Sequence, residues 1–378
     1  MRRRVGYQWR QGDGVVDAES GVCSFGVEEE FFVVDPDSRR VVAAAPKVRA
    51  VRPELVAKEL TRYQVEIATR PCDTLAELRA DLYRRRAGVV RAAARVGYAV
   101  LPSGTAPLGG AGLPVTDDDR YDAMEREYRD LLGRSGVCGC HVHVALPDRW
   151  TALRVSNHLR PWLPVLAAIS SNSPYRSGHD TGYASWRTIA WSSWPVAGPA
   201  PFWRSDEHYE ALVDGLIQSG VILDTGMLYW YARPSARFPT LELRACDVLP
   251  TVDGTLLVAA LARALVGTAL ADLAGDVAAV DVPTEMLRAA HWRAARDGLA
   301  GDGVDVLSGR PKPAAELVRA LVSRVRPALD RAGDTAVVLE LLARLDADGG
   351  PAQRQRLLHA RRGDLRDVVD ALVTGVTG

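Results

Sequence analysis

The stretch Gly26-Val27-Glu28-Glu29-Glu30-Phe31-Phe32-Val33-Val34 sets the frame for the whole chain. β-Branched and aromatic residues mark it as a β-strand, closed by the turn residues Asp35-Pro36-Asp37-Ser38 and followed by Arg40-Val41-Val42. Strand residues alternate faces, so Glu28 and Glu30 point one way while Val27 and Glu29 point the other. Two carboxylates one pleat apart among apolar neighbours are costly unless cations neutralise them. Mg²⁺ takes oxygen ligands and brings phosphates with it, which makes it a fitting partner. A charged edge strand that wards off aggregation would read the same way. The choice depends on what the chain places beside Glu28 and Glu30. Glu29, on the reverse face, is expected to form a structural ion pair behind the sheet.

Three later stretches supply partners. Thr61 to Thr69 alternates, with Tyr63, Val65 and Ile67 on one face and Gln64, Glu66 and Ala68 on the other. Cys138 to Leu146 is a further strand, on which His141 and His143 share a face. Thr240 to Ala245 turns Leu241, Leu243 and Ala245 to the core and Glu242 with Arg244 to the opposite side. A same-face Glu–Arg pair on a surface is worth little, but beside a metal and a phosphate Glu can ligate and Arg can fork onto phosphate oxygens. Asn172 to Trp203 has little periodicity and carries Arg187 among Tyr183, Trp186 and Trp191. Long irregular segments in compact domains tend to be functional, and aromatics mixed with Arg suit a pocket wall that grips a carboxylate.

Helices fill the intervals. Thr74 and Glu77 form a capping box before the stripe Leu75, Leu78, Leu82, then Val89 or Val90 and Ala93, which Gly97 ends. Asp119 to Leu132 reads as a charged helix, and Trp150 to Ser171 as a helical stretch broken at Pro161 and Pro164. Ser205 to Gly220 is amphipathic, burying Leu212, Val213, Leu216 and Ile217; Met227 to Arg233 reads as a strand. Pro46 to Leu60 is a mixed connection, and from Thr251 the chain is mostly helical, with a short hairpin at 301–310.

Composition excludes several classes. Lys plus Arg and Asp plus Glu are both 47, so no global charge draws the chain to nucleic acid or membrane. No apolar run is read as approaching a membrane span, and no apolar segment follows the basic Met1-Arg2-Arg3-Arg4, so cytosol is the expected compartment. Five cysteines without framework spacing read as reduced thiols. Residues 1–20 are expected to form a flexible arm, and 21–378 a single catalytic domain. A phosphate loop, a dinucleotide fingerprint and a nucleophile elbow are all missing. Acids, His and Arg on a polar sheet face instead suit metal-assisted phosphoryl transfer, which needs positioned charge more than covalent catalysis.

Five motifs occur in order: Gly-Val-Glu-Glu-Glu-Phe (26–31), Gln-Val-Glu-Ile-Ala-Thr (64–69), Gly-Cys-His-Val-His-Val (139–144), Trp-Arg-Thr-Ile-Ala-Trp-Ser-Ser-Trp-Pro (186–195) and Leu-Glu-Leu-Arg-Ala-Cys-Asp (241–247). Together they resemble the type 2 glutamate–cysteine ligase family, the carboxylate–amine ligases. The resemblance implies an α+β, glutamine-synthetase-like fold: a curved antiparallel β-sheet forming a funnel, with helices packed on its outer face. It implies ATP with Mg²⁺ or Mn²⁺, small-molecule acid and amine substrates, a homodimer, and an amide formed through an acyl phosphate, by default from glutamate and cysteine. Carried over by position, Glu28, Glu30, Glu59, Glu66, His141 and Glu242 match metal ligands. Arg244, with His141 and His143, falls at the ATP phosphates, and Arg187 at the substrate carboxylate. Catalysis would rest on Arg244, Glu28 and Arg187, with Tyr183, Trp186 and Trp191 lining the substrate. Thr69-Arg70-Pro71-Cys72 departs from the family's usual uncharged run, which bears on the choice of amine. Two rivals remain: a zinc hydrolase built on His141 and His143, and a non-catalytic homologue that binds nucleotide or amino acid.

Overall fold

Eleven strands are interleaved with helices in the computed structural model, which describes residues 22–110, 112, 114–133 and 136–377. The expected arm at 1–20 lies outside the described residues. The strands are β1 (Phe25–Val34), β2 (Ala57–Lys58), β3 (Gln64–Ala68), β4 (Ala99–Leu101), β5 (Gly139–Ala145), β6 (Tyr175–Arg176), β7 (His179–Asp180), β8 (Ala232–Pro234), β9 (Thr240–Asp247), β10 (Asp302–Asp305) and β11 (Arg310–Pro313). Seven of them form one antiparallel sheet in the order β2-β3-β1-β5-β9-β8, with β4 paired to the far end of β1. β1 is therefore interior, and the charged-edge reading of Glu28 and Glu30 fails on topology. The remaining four strands make two small ribbons, β6–β7 and β10–β11.

The reverse face of the sheet carries the core. Val27, Val142, Val144, Leu241 and Leu243 pack with Leu256, Leu257 and Leu261 of the helix Val252–Ala274. Phe31, Val33, Val65 and Ile67 pack with Val89 and Ala93 of the helix Leu75–Arg95, whose Thr74–Glu77 capping box is formed. Val252–Ala274 is long and apolar enough by itself to cross a membrane, which corrects the reading that no run comes near that length. Its most apolar window is 72% buried inside the protein, so it serves here as the central core helix.

Glu29 is fully buried on this face, and the expected ion pair is present. Arg86 donates from Nε to Glu29 Oε2 at 2.9 Å and from Nη2 to Oε1 at 2.5 Å. The same guanidinium reaches the carbonyls of Leu249 (3.0 Å), Pro250 (3.2 Å) and Val376 (3.1 Å), tying β1 to the start of the central helix and to the C-terminal helix Leu365–Gly375.

Several local expectations need correction. Residues 46–60 contain a short helix, Ala45–Val51, and the edge strand β2. The stretch 227–233 is mostly irregular: Thr225–Met227 closes into a 3₁₀ turn capped by Asp224, Trp230 makes a single bridge to Gly198, and the strand is Ala232–Pro234. The break in 150–171 falls between the helices Arg149–Leu159 and Leu163–Ser170, where Pro164 sits in the first turn of the second helix and helps start it. In Asp206–Gln218 the buried residues are Tyr209 and Val213, while Ile217 stays 37% exposed. The hairpin expected at 301–310 is the β10–β11 ribbon, extending to Pro313.

Candidate active site

The polar face of the sheet floors a cavity of about 530 Å³. Register explains how residues distant in sequence meet there. Glu28 on β1 stands opposite His141 on β5, and Glu30 opposite Glu66 on β3. His143 stands opposite Glu242 on β9. Between Cys140 and Val142 of β5 the partner strand fits two residues, Arg244 and Ala245, against one, a β-bulge. The bulge keeps Arg244 on the cavity side with Glu242 while Ala245 stays in the core. It then shifts the phase of β9, so that Cys246 packs in the core opposite Cys140.

The acids fall into two groups. Glu28, His143 and Glu242 bring their ligand atoms within 4.8 Å of one another, as do Glu30, Glu59 and Glu66. In the first group, the Glu28 carboxylate lies 3.5 Å from both His141 Nδ1 and His143 Nε2. Arg233 forks onto Glu242 at 2.9 and 3.3 Å, and Arg244 bonds the same carboxylate. Burial disfavours charge on Glu28 and Glu242, but the histidines beside one and the arginines beside the other hold both well below the usual carboxylate range. The second group has no such cations at its centre. Burial, followed by the charge of Glu59, pushes Glu30 up to about 8; burial raises Glu59, and burial with the neighbouring Glu28 and Glu59 charges raises Glu66. Three partly buried carboxylates that repel each other form a donor set for a hard divalent cation.

Burial and then Arg244 lower His141 to about 4, which keeps its ring neutral at neutral pH. Burial opposes charge on His143 too, yet Glu28 raises it. The Nε2 of His141 is buried without a hydrogen-bond partner among the described residues, as is Arg244 Nε, and His143 Nε2 has only the Glu28 carboxylate at 3.5 Å. Buried polar atoms are normally satisfied, so these point to a polar ligand.

Most of the expected residues converge here. Glu28, Glu30, Glu59, Glu66, His141, His143, Trp191, Glu242 and Arg244 all face the cavity. His141 adjoins the first group: its Nδ1 is 3.5 Å from Glu28, 4.0 Å from Glu242 and 3.4 Å from Arg244, while its buried Nε2 has no hydrogen-bond partner among the described residues.

Arg187 does not line the cavity: it is 2% exposed, with Nη2 bonded to the Arg244 carbonyl (3.3 Å), Nη1 3.9 Å from Asp247, and Nε without a hydrogen-bond partner among the described residues. A side chain on Gly139 would collide with both Arg187 Nη2 and His141 Nε2, so its absence lets the guanidinium lie on the same face of β5 as His141. The short helix Trp186–Trp191 places Arg187 and Trp191 on one face, and the Trp191 ring contacts both Arg187 (5.9 Å) and Arg244 (5.7 Å). Tyr183 and Trp186 pack edge to face, 5.2 Å apart, and do not line the cavity.

Other lining residues were not anticipated. Arg233 pairs with Glu242 across the β8–β9 ladder. Arg120, at the start of the helix Asp119–Tyr128, pairs with Asp224 at 2.7 and 3.0 Å, and Lys58 of β2 pairs with Asp118 at 2.9 Å. Arg237 and Phe238 come from the β8–β9 turn.

Comparison with known proteins follows this geometry. Residues 24–371 match the model of glutamate–cysteine ligase family 2. A Saccharopolyspora erythraea protein named "Putative glutamate–cysteine ligase 2-1" is 49% identical over 350 residues, covering 92% of this chain and 93% of that protein. A Salinispora tropica protein named "Putative glutamate–cysteine ligase 2" is 46% identical over 351 residues, covering 92% and 93%. Among solved structures, a Francisella tularensis glutamate–cysteine ligase in complex with AMP is similar in fold, with a TM-score of 0.71 at 12% identity over 94% of this chain and 89% of that one. A bifunctional glutathione synthetase from Pasteurella multocida gives 0.69 at 16% identity, covering 94% of this chain and 52% of that one. The chain belongs to glutamate–cysteine ligase family 2, whose members are ATP-dependent ligases that form a C–N bond.

Proposed function

We propose that this protein joins the side-chain carboxylate of glutamate to an amine, by default that of cysteine, through an acyl phosphate made from ATP. A carboxylate oxygen attacks the γ-phosphorus and ADP leaves. The amine nitrogen then attacks the acyl carbon, the C–O bond to phosphate breaks, and the nitrogen releases its proton as the amide forms. The observation that carries this reading is the pair of acidic groups flanking Arg244 on one sheet face. The AMP bound to the Francisella ligase is in keeping with an adenine nucleotide here.

The donor sets fit two divalent cations: Glu28, His143 and Glu242 would hold one, and Glu30, Glu59 and Glu66 the other. Oxygen-rich sets suit Mg²⁺, and the imidazole admits Mn²⁺. Bound there, such ions neutralise phosphate oxygens. Arg244 donates to the phosphoryl group in transfer, where charge shifts most, and Arg233 keeps Glu242 ionised and aimed. Trp191 shields the two guanidiniums from water on one side.

The electrostatics give a sign-defined metal test. Glu30, Glu59 and Glu66 have folded-state values above their unfolded ones, so their contribution to stability is full at low pH and lost as pH rises, for Glu30 as it passes about 8. His141 acts oppositely, but only below its unfolded value of 6.5. Between pH 6.5 and 8, the metal-free protein is therefore expected to lose thermal stability, and the increase in Tm on adding MgCl₂ to be larger at pH 8. Differential scanning fluorimetry reads both; a Mg²⁺ shift that shrinks toward pH 8 would count against the second cation site.

The reaction is tested by ADP release and product mass with ATP, MgCl₂ and a panel of acids and amines. The expected result is ADP formation that requires an acid, with a product heavier than that acid by the amine minus water. ADP release indifferent to the acid would sink the reading.

A further inference from the structure

The turn between β8 and β9 holds two side chains that neither the fold nor the acid groups account for. Phe238 keeps 48% of its surface exposed while lining the cavity. Exposed aromatics at a pocket rim leave apolar surface for a ligand to cover. Arg237, its neighbour, lines the same rim and forms no side-chain hydrogen bond or ion pair among the described residues. The turn that carries them is well tied. Ser235 Oγ accepts the amides of Arg237 (3.2 Å) and Phe238 (3.3 Å), the Thr240 amide donates to the Phe238 carbonyl (2.8 Å), and that of Ser235 to the Thr240 carbonyl (2.9 Å). The two side chains are thus displayed on a braced hairpin.

Position selects the occupant. The Phe238 ring meets His143 edge to face at 5.8 Å, and His143 belongs to the Glu28–Glu242 group. Two other cations of the lining, Lys58 and Arg120, are taken up by Asp118 and Asp224. Unpaired positive charge and an open aromatic face therefore coincide beside one cation group and not beside the other. A phosphate chain ending in a planar base matches that combination: Arg contacts the phosphates and the ring stacks on the base.

We propose that the Arg237–Phe238 turn is the nucleotide clamp, with Phe238 stacking on the base of ATP and Arg237 contacting its phosphate chain. This rests on the reaction proposed above, and the test separates the two. Binding is measured by calorimetry in MgCl₂ with the non-hydrolysable analogue AMP-PNP and with inorganic tripolyphosphate, which has no base. Phe238→Ala is expected to weaken AMP-PNP about tenfold, in the range a lost stacked base costs elsewhere, and to leave tripolyphosphate within twofold. Phe238→Trp retains a ring and restores AMP-PNP binding, and Arg237→Gln weakens both ligands alike. In turnover assays, the KM for ATP rises in Phe238→Ala while the KM for the acid stays within twofold. In Phe238→Ala, unchanged AMP-PNP affinity, an equal loss of AMP-PNP and tripolyphosphate, or a rise confined to the KM of the acid or amine overturns the clamp. If the wild-type protein binds no AMP-PNP, the nucleotide reading of the cavity fails and the clamp with it.

Discussion

Arg86→Met is expected to lower stability by about 3–5 kcal/mol, the cost of stranding one member of a buried ion pair. Glu29 and Arg86 are both fully buried, and without the guanidinium the carboxylate keeps only the Thr255 hydroxyl, at 2.7 Å. Three backbone carbonyls also lose their donor, so the C-terminal helix and the start of the central helix come loose from β1 together. Urea denaturation measures the loss. The double variant Glu29→Met/Arg86→Met is expected to be more stable than Arg86→Met alone, since no orphan charge remains. Glu29 sits between Glu28 and Glu30, so this ion pair fixes the strand that presents both cavity acids. A loss under 1 kcal/mol in Arg86→Met would mean that the strand is held mainly by its apolar neighbours.

The largest effect on turnover is expected at Arg244. Arg244→Ala should lower kcat by about 10³-fold, the low end of what a transferring-phosphoryl arginine supplies. Arg244→Lys should recover little, because an ammonium cannot reproduce the planar fork. The fold should survive both changes, since Arg233 continues to pair Glu242 at 2.9 Å. Steady-state kinetics beside a melting curve separates the two effects. A variant with normal melting and a kcat within tenfold of wild type would remove Arg244 from the phosphoryl step.

Alternation made the site legible. Each of Glu28, Glu30, Glu66, His141, His143, Glu242 and Arg244 lies on a strand whose apolar residues fix the other face, and all seven reach the cavity. The expected ion pair of Glu29 was readable as a need, but its partner was not named. A signal existed: Arg86 falls four residues after Leu82 on the helix stripe that otherwise buries Leu75, Leu78 and Val89, so a cation on that face required a buried acid. Arg233 was readable only from hairpin register, since it pairs with Glu242 across the 235–239 turn. The bulge at Arg244–Ala245 has no sequence signature. Arg187 could not be placed by pattern, because its segment is irregular and its depth depends on Asp247 at the end of β9, whose carboxylate also takes Asn172, Ser173 and Ser185. Lys58 and Arg120 come to the rim from the edge strand and a helix start, where periodicity carries no information about long-range contacts.

The central claim is that the carboxylate is activated as an acyl phosphate. Glutamate labelled with ¹⁸O in its side-chain carboxylate, turned over with ATP, MgCl₂ and cysteine, tests it directly. Attack of a carboxylate oxygen on the γ-phosphorus, followed by cleavage of the acyl C–O bond, carries one ¹⁸O into each phosphate released. Mass spectrometry of the phosphate is expected to show that single label in step with amide formation; amide formed with unlabelled phosphate would contradict the account.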